Sequence, residues 1–466
     1  MLDQNRKFLS MSGLWLLWAM LLGPLVGPVP ALGQDRVIPN TKPRPRVPIY
    51  EPGAPVQRKV LKSGLTILVQ EQRTSDRVAG AVAVRMGTIY ESDDDAGRGQ
   101  VLIKSMLAGT QKKSSAELAL RLLAADAQLE SGAGPDLGQI SIATKREQVE
   151  PAIDLLAEVV LQPAFPDTAV DGMRARALTS AADQDENPVR ASYSMFLGPM
   201  YRGSPLQRSV AGTVSGLAGC RRKDVLALYK KYFVGGNMVV CFVGNFDGKK
   251  VMARLEKAFA ATPAGKALEP VPGEPVPLAA DTTLTSERDV LAPVMTLGFP
   301  APGYMDPDYA AFKIIESYLA APDRSPITYW LPQSGIAASV GVLYPPYPKR
   351  ASIAVYLTAP PNQIAAAKDT VVSVLGRLKT QPLDEEEYAE QLKRVQDGTF
   401  ANQDDPLSRA RSMSQFEVAG AGYDFHRRFE QSLLGLNAER VRAIAERWLT
   451  HSCEATITPV KSESKP

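Results

Sequence analysis

Val225-Leu226-Ala227-Leu228-Tyr229-Lys230-Lys231-Tyr232-Phe233-Val234-Gly235-Gly236-Asn237-Met238-Val239-Val240-Cys241-Phe242-Val243 holds the pattern on which the fold turns. Val225, Leu228, Tyr232 and Phe233 recur at helical spacing, and Met238 to Val243 is a short apolar run of strand length. The same order returns near the C-terminus. Val441, Ile444, Trp448 and Leu449 repeat the four helix positions at identical spacing, followed by the strand-like Glu454 to Val460. Two further pairs agree. Val82 to Gly87 resembles Val294 to Gly298, each a strand ending in glycine, and the apolar helix before Pro163 resembles Thr370 to Leu378 before Pro382. A repeat this long predicts two duplicated α+β domains rather than a solenoid, whose units are far shorter.

The bulk numbers agree with two domains. The chain has 466 residues, 45% hydrophobic and 22% charged, beyond the size at which one core stops growing. A net charge of +3 with no long Lys/Arg run argues against a nucleic-acid partner. Arg6-Lys7, the apolar run Leu14 to Leu22 and the small residues Ala31-Leu32-Gly33 have the order of a secretory signal. Gly23 and Pro24 break the run short of the roughly 20 residues that span hydrocarbon, which favours cleavage before Gln34 over a retained anchor. The expectation is an exported protein, periplasmic or of the cell envelope, with no membrane span after cleavage. Pro-rich stretches at 34–55 and 263–283 read as linkers, leaving domains at 56–262 and 284–460 and a tail at 461–466. Three cysteines, Cys220, Cys241 and Cys453, are too few for a disulfide framework, and whether one bridge forms is open.

In the first half, Lys59 to Val69 predicts two strands around a Ser63-Gly64 turn, and Val78 to Met86 a third. Ser114 with Glu117 forms a capping box, Gln139 to Thr144 alternates as a strand, and Val149, Ile153, Leu156 and Val160 form a helix face. Asp93-Asp94-Asp95 lacks the other oxygens of a calcium loop and reads as a solvated turn. Asp384-Glu385-Glu386-Glu387 reads as an acidic helix N-terminus, and Tyr344-Pro345-Pro346-Tyr347-Pro348 as a rigid loop with aromatic packing.

Taken together, several stretches resemble the pitrilysin/insulinase-type zinc peptidases. They are the hairpin Leu61-Lys62-Ser63-Gly64-Leu65, the strand end Gly87-Thr88-Ile89-Tyr90-Glu91, Gly97 through Gly109-Thr110, Pro163-Ala164-Phe165, Tyr232 to Asp247, Gly298-Phe299-Pro300 and Asp306 to Ala310. The resemblance covers roughly residues 56 to 460 and implies an α+β metallopeptidase-like clamshell of two homologous domains, each a mainly antiparallel sheet packed with helices. Active members carry a helix resembling Gly-Leu-Ala-His-Phe-Leu-Glu-His-Met. Two imidazoles four residues apart share a helix face and bind zinc, while the glutamate between them is the general base. Here those positions fall on Gln100, Ile103 and Lys104. Glutamine is a poor zinc ligand, isoleucine accepts no proton, and lysine is itself a cation. The family's third ligand, a glutamate before an Asn-Pro, falls near Ser180, with no acid from Ala175 to Ala182. In partner subunits of two-chain members an arginine and a tyrosine of the second domain bind substrate. Those positions fall on Leu331 or Pro332 and on Ala338, none of which can stabilise an oxyanion.

A separate argument uses no resemblance. The only histidines are His426 and His451, which cannot build a His-based zinc site or a Ser-His-Asp triad in the first domain. His451-Ser452-Cys453 could contribute to a metal site, but too few other ligands are evident, and a strand-entry loop is the simpler reading. The sequence therefore carries no catalytic residue, metal ligand or cofactor that can be assigned. The expectation is a non-catalytic homologue that pairs with a zinc-bearing relative, as heterodimer or homo-oligomer, and helps enclose an extended peptide. A standalone envelope peptide-binding or scaffold protein, and a zinc metalloendopeptidase with a rearranged site, remain open as alternatives.

Overall fold

The computed structural model describes residues 53–270 and 276–460. The segment expected to be a signal sequence, nearly all of the first Pro-rich stretch and the tail lie outside them. The first half runs β1 (Gln57–Val60), β2 (Thr66–Glu71), β3 (Arg77–Arg85), α1 (Arg98–Ser105), α2 (Ser115–Ala124), β4 (Gln128–Ala133), β5 (Leu137–Lys145), α3 (Val149–Leu161), α4 (Asp167–Glu186), α5 (Pro188–Met200), α6 (Val214–Ala218), α7 (Arg222–Tyr232), β6 (Met238–Gly244) and α8 (Gly248–Ala258). The second half runs β7 (Thr282–Arg288), β8 (Val294–Pro302), α9 (Tyr309–Ala320), α10 (Trp330–Gln333), β9 (Ser339–Leu343), β10 (Arg350–Thr358), α11 (Ile364–Thr380), α12 (Glu385–Asp404), α13 (Pro406–Ala419), α14 (Phe425–Leu434), α15 (Ala438–Trp448) and β11 (Cys453–Pro459).

The duplication is plain in the strand order. The first sheet is β1-β2-β6-β3-β5-β4 and the second β7-β11-β8-β10-β9, so β2 through β4 in the one correspond to β7 through β9 in the other. Both sheets are antiparallel except for one matching parallel pair, β2 with β6 and β7 with β11. Within the first sheet Gly80 of β3 lies opposite Phe242 of β6. A Cβ on Gly80 would meet that ring at 2.2 Å, so only glycine admits the buried aromatic there. The capping box at Ser114 and Glu117 forms, as does one at Asp384 and Glu387 on the acidic start of α12. Tyr344 and Tyr347 are buried, and the three cysteines are buried free thiols.

The halves are joined by a reciprocal exchange of helices. One face of the first sheet packs on α3 and α8 of its own half, while Leu68, Ala81, Ala83, Val239 and Val243 on the other face meet Ala410, Met413 and Val418 of α13. Conversely, Phe196, Leu197 and Met200 of α5 enter the core of the second sheet. The break that separates each exchanged helix from its predecessor is built alike in both halves. Asn187 and Asp405 cap the new helix with their side chains, and Pro188 and Pro406 stand at its first position, where no N–H is needed.

The second Pro-rich stretch lies along the first half at its start and crosses to the second half by its end. Pro263 and Gly265 accept from the Gly235 and Gly236 amides, both at 2.8 Å, and Leu268 N donates to Asn237 Oδ1 at 3.0 Å. Beyond the undescribed residues 271–275, Val276 N donates to Arg202 O at 2.9 Å, and β7 begins at Thr282.

Asp136, between β4 and β5, is 9% exposed, and burial pushes its carboxyl up to about 6 despite the opposing backbone amide of the same residue. Because the folded value exceeds the unfolded one of about 3.9, this group supports folding below about pH 4 and opposes it as pH rises through 6. Asp136→Asn removes that dependence. Denaturation at pH 4 and pH 8 should show the gap between variant and wild type moving by about 2–3 kcal/mol in the variant's favour at pH 8. A gap that does not change with pH refutes this assignment.

Candidate functional site

Helix α1 is held from its N-terminal end. Gly97, its N-cap, sits at φ 92°, and an added Cβ would lie 2.8 Å from Gly212 Cα. The buried Glu91 carboxylate accepts from Gly97 N at 2.8 Å and Gly99 N at 2.7 Å, taking up amides the helix cannot pair itself. Burial raises this carboxyl's pKa, and the two amides oppose the shift.

The three helix positions have been turned to structural use. Gln100 Nε2 donates to Ala133 O at 2.7 Å, and Lys104 Nζ donates to Ser131 O. Both acceptors are backbone carbonyls of β4, the outermost strand of its sheet, so two side chains of α1 blunt that edge. Burial lowers the pKa of Lys104, and Glu130 opposes the shift. Ile103 is fully buried in the first-half core, where its Cδ1 lies within van der Waals reach of the space above Gly138. Ser180 is half-buried on α4, which packs along α1.

A zinc ion does not fit this set. One amide, one alkyl group, one ammonium and one hydroxyl offer no anionic or imidazole ligand, and two of the four are committed to carbonyls. Among the described residues no three His, Cys, Asp or Glu side chains converge.

The second predicted group lies apart, at the edge of the second sheet. Leu331 is buried in the short α10, Pro332 is half-buried beside it, and Ala338, exposed just before β9, donates its amide to Thr358 O at 2.7 Å. The histidines lie elsewhere. His426 is packed edge-on against Phe416 and Phe425 and is pushed down to about 3 by burial and then by Arg409, so it stays neutral. Cys453 donates its thiol to Phe196 O at 3.8 Å, and Ser452 holds Asp281 through its amide and hydroxyl.

A feature not anticipated from sequence is the cleft of about 710 Å³ beside Lys104, lined by Lys112, Lys113, Thr110 and residues entering α4. Its only sequence signal was Lys112-Lys113 directly after Gly109-Thr110.

A duplicated α+β peptidase fold, with its motif helix still capped and packed, defines the class. Residues 66–214 match the family model described as Insulinase (Peptidase family M16), and residues 220–395 match Peptidase M16 inactive domain. The chain belongs to the insulinase, or M16, family of peptidases. An uncharacterized zinc protease of Mycobacterium leprae is 22% identical over 416 residues, 87% of this chain and 92% of that protein. An uncharacterized zinc protease of Rickettsia felis is 22% identical over 206 residues, 44% of this chain, and the match spans half the relative's length. Mitochondrial cytochrome b-c1 complex subunit 1 of Caenorhabditis elegans is 23% identical over 185 residues, 40% of this chain and 39% of that one. Among solved structures, a protease from Helicobacter pylori aligns with a TM-score of 0.80 at 16% identity, covering 87% of this chain and all of that one. A chain of complex III2 from Candida albicans aligns at 0.73 and 14% identity, over 88% of this chain and 98% of its own.

Proposed function

We propose that this protein is a non-catalytic member of its family, a partner subunit of a zinc-bearing relative that helps enclose peptide substrate. The observation carrying this reading is the state of α1. The helix keeps its cap and packing, while the three chemical positions hold an amide tied to a strand, a fully buried alkyl group and a cation. With no base to activate water and no ligand set for a metal, the chain supplies neither nucleophile nor Lewis acid from this helix. What it offers a reaction is surface.

The packing supports a partner. The exchange of α5 and α13 covers the inner face of each sheet with a helix of the other half, which supports a peptide chamber formed against another chain. The cytochrome b-c1 and complex III2 relatives are named as parts of assemblies, which supports the reading. Export to the periplasm or cell envelope, inferred from the N-terminal residues, belongs to the same proposal. Purification of the tagged chain from its native envelope should yield a complex containing a zinc-bearing homologue. A lone, monodisperse monomer in those extracts contradicts the partner role.

A further inference from the structure

The cleft beside α1 is charged in a way the proposed peptide-holding role does not require. Lys104, Lys112 and Lys113 line it, and no acidic residue does. Lys113 is matched by Glu158, which also accepts from Thr110, and those bonds hold the Glu158 carboxyl below the usual carboxylate range despite partial burial. Lys104 is not matched in this way. Its ammonium is bonded to the neutral Ser131 carbonyl, and the neighbouring Glu130 is engaged by Arg411. Lys112 stands exposed on the rim. The cleft therefore presents more positive charge than its walls neutralise. Thr168 and Ser115 add hydroxyl donors, and Leu107 and Met173 supply apolar surface.

We propose that this cleft binds an acidic peptide segment, its carboxylates meeting Lys104 and Lys112 and its aliphatic stems lying on Leu107 and Met173. The inference rests on the peptide-holding reading and names the chemistry of what is held. A volume of about 710 Å³ is suited to side chains from a short extended segment, and the apolar surface distinguishes such a ligand from a simple inorganic anion. In this account, the lysine at the position of a metal ligand has converted the neighbourhood of a cation site into a site for anions.

The test uses fluorescence anisotropy on the mature full-length chain, alone and mixed with a zinc-bearing homologue. The probes are a labelled peptide alternating Glu and Leu and its counterpart with Gln for Glu. The acidic peptide should bind at least about tenfold more tightly at low salt, and the preference should shrink as salt rises. The double variant Lys104→Met with Lys112→Met should lose the preference while keeping the melting temperature of the parent. Should that variant misfold, Lys112→Met alone, on an exposed side chain, should still reduce the preference several-fold. Equal binding of both peptides overturns the acidic specificity and leaves peptide holding intact. An acidic preference untouched by the lysine variants places the site elsewhere and also overturns the inference. Binding of neither peptide, alone or in the mixture, overturns peptide holding itself.

Discussion

Ile103→Glu, which restores the acid of the family motif, is expected to destabilise the protein by about 3–5 kcal/mol, because it places an unpaired carboxyl in the core. Ile103 is fully buried and belongs to the cluster that includes Met86, Val101 and Leu102. The penalty should grow as pH rises, since the neutral acid tolerates burial better than the carboxylate. Lys104→Met is the matched control, expected to change stability by no more than about 1 kcal/mol because the lysine is a partly exposed residue whose ammonium bonds a neutral carbonyl. Adding Gln100→His and Lys104→His to Ile103→Glu should still give no tight zinc site, since Ser180 supplies no third carboxylate. Chemical denaturation of each variant measures the first two effects. An Ile103→Glu protein as stable as wild type would mean that this position faces an open site rather than the core.

The second large effect is expected at the joint between the halves. Arg409 of α13 is 8% exposed; it donates through Nε to Gln70 Oε1 of β2 at 2.9 Å and through Nη1 to Gln403 Oε1. Gln403 in turn donates to Glu430 at 3.0 Å, and Gln72 donates to Asp404 O at 2.8 Å, so the network links α12, α13 and α14 to the first sheet. Arg409→Met keeps much of the volume and removes every donor, leaving the Gln70 and Gln403 oxygens without these partners. Removing one side of a buried polar network of this kind costs about 3–5 kcal/mol. Thermal unfolding should begin earlier in the variant, and proteolysis should cut first near the exchanged helix. An unchanged melting temperature would show that apolar packing alone secures α13.

The duplication was legible in sequence because the same helix face precedes the same strand twice, at Val225 to Val243 and Val441 to Val460. The capping box at Ser114 and the β3 alternation were equally local signals. Strand β4 was not read, since Gln128-Leu129-Glu130-Ser131-Gly132-Ala133 is polar and contains glycine, as an edge strand tolerates. The exchange of α5 and α13 was also hidden. Both helices bury residues against the opposite half, and periodicity reports a buried face without saying what covers it. At the motif, residue identity was enough to argue against zinc, but the bonds from Gln100 and Lys104 to β4 depend on that unread strand. The cleft, too, joins segments distant in sequence, from Lys104 to Met173.

The most direct test of the central claim is zinc content and peptidase activity of the purified chain, measured with and without a zinc-bearing homologue. The account predicts no stoichiometric zinc and no cleavage by the chain alone, with activity appearing or rising only in the mixture. Stoichiometric zinc and chelator-sensitive cleavage by the isolated chain would contradict it.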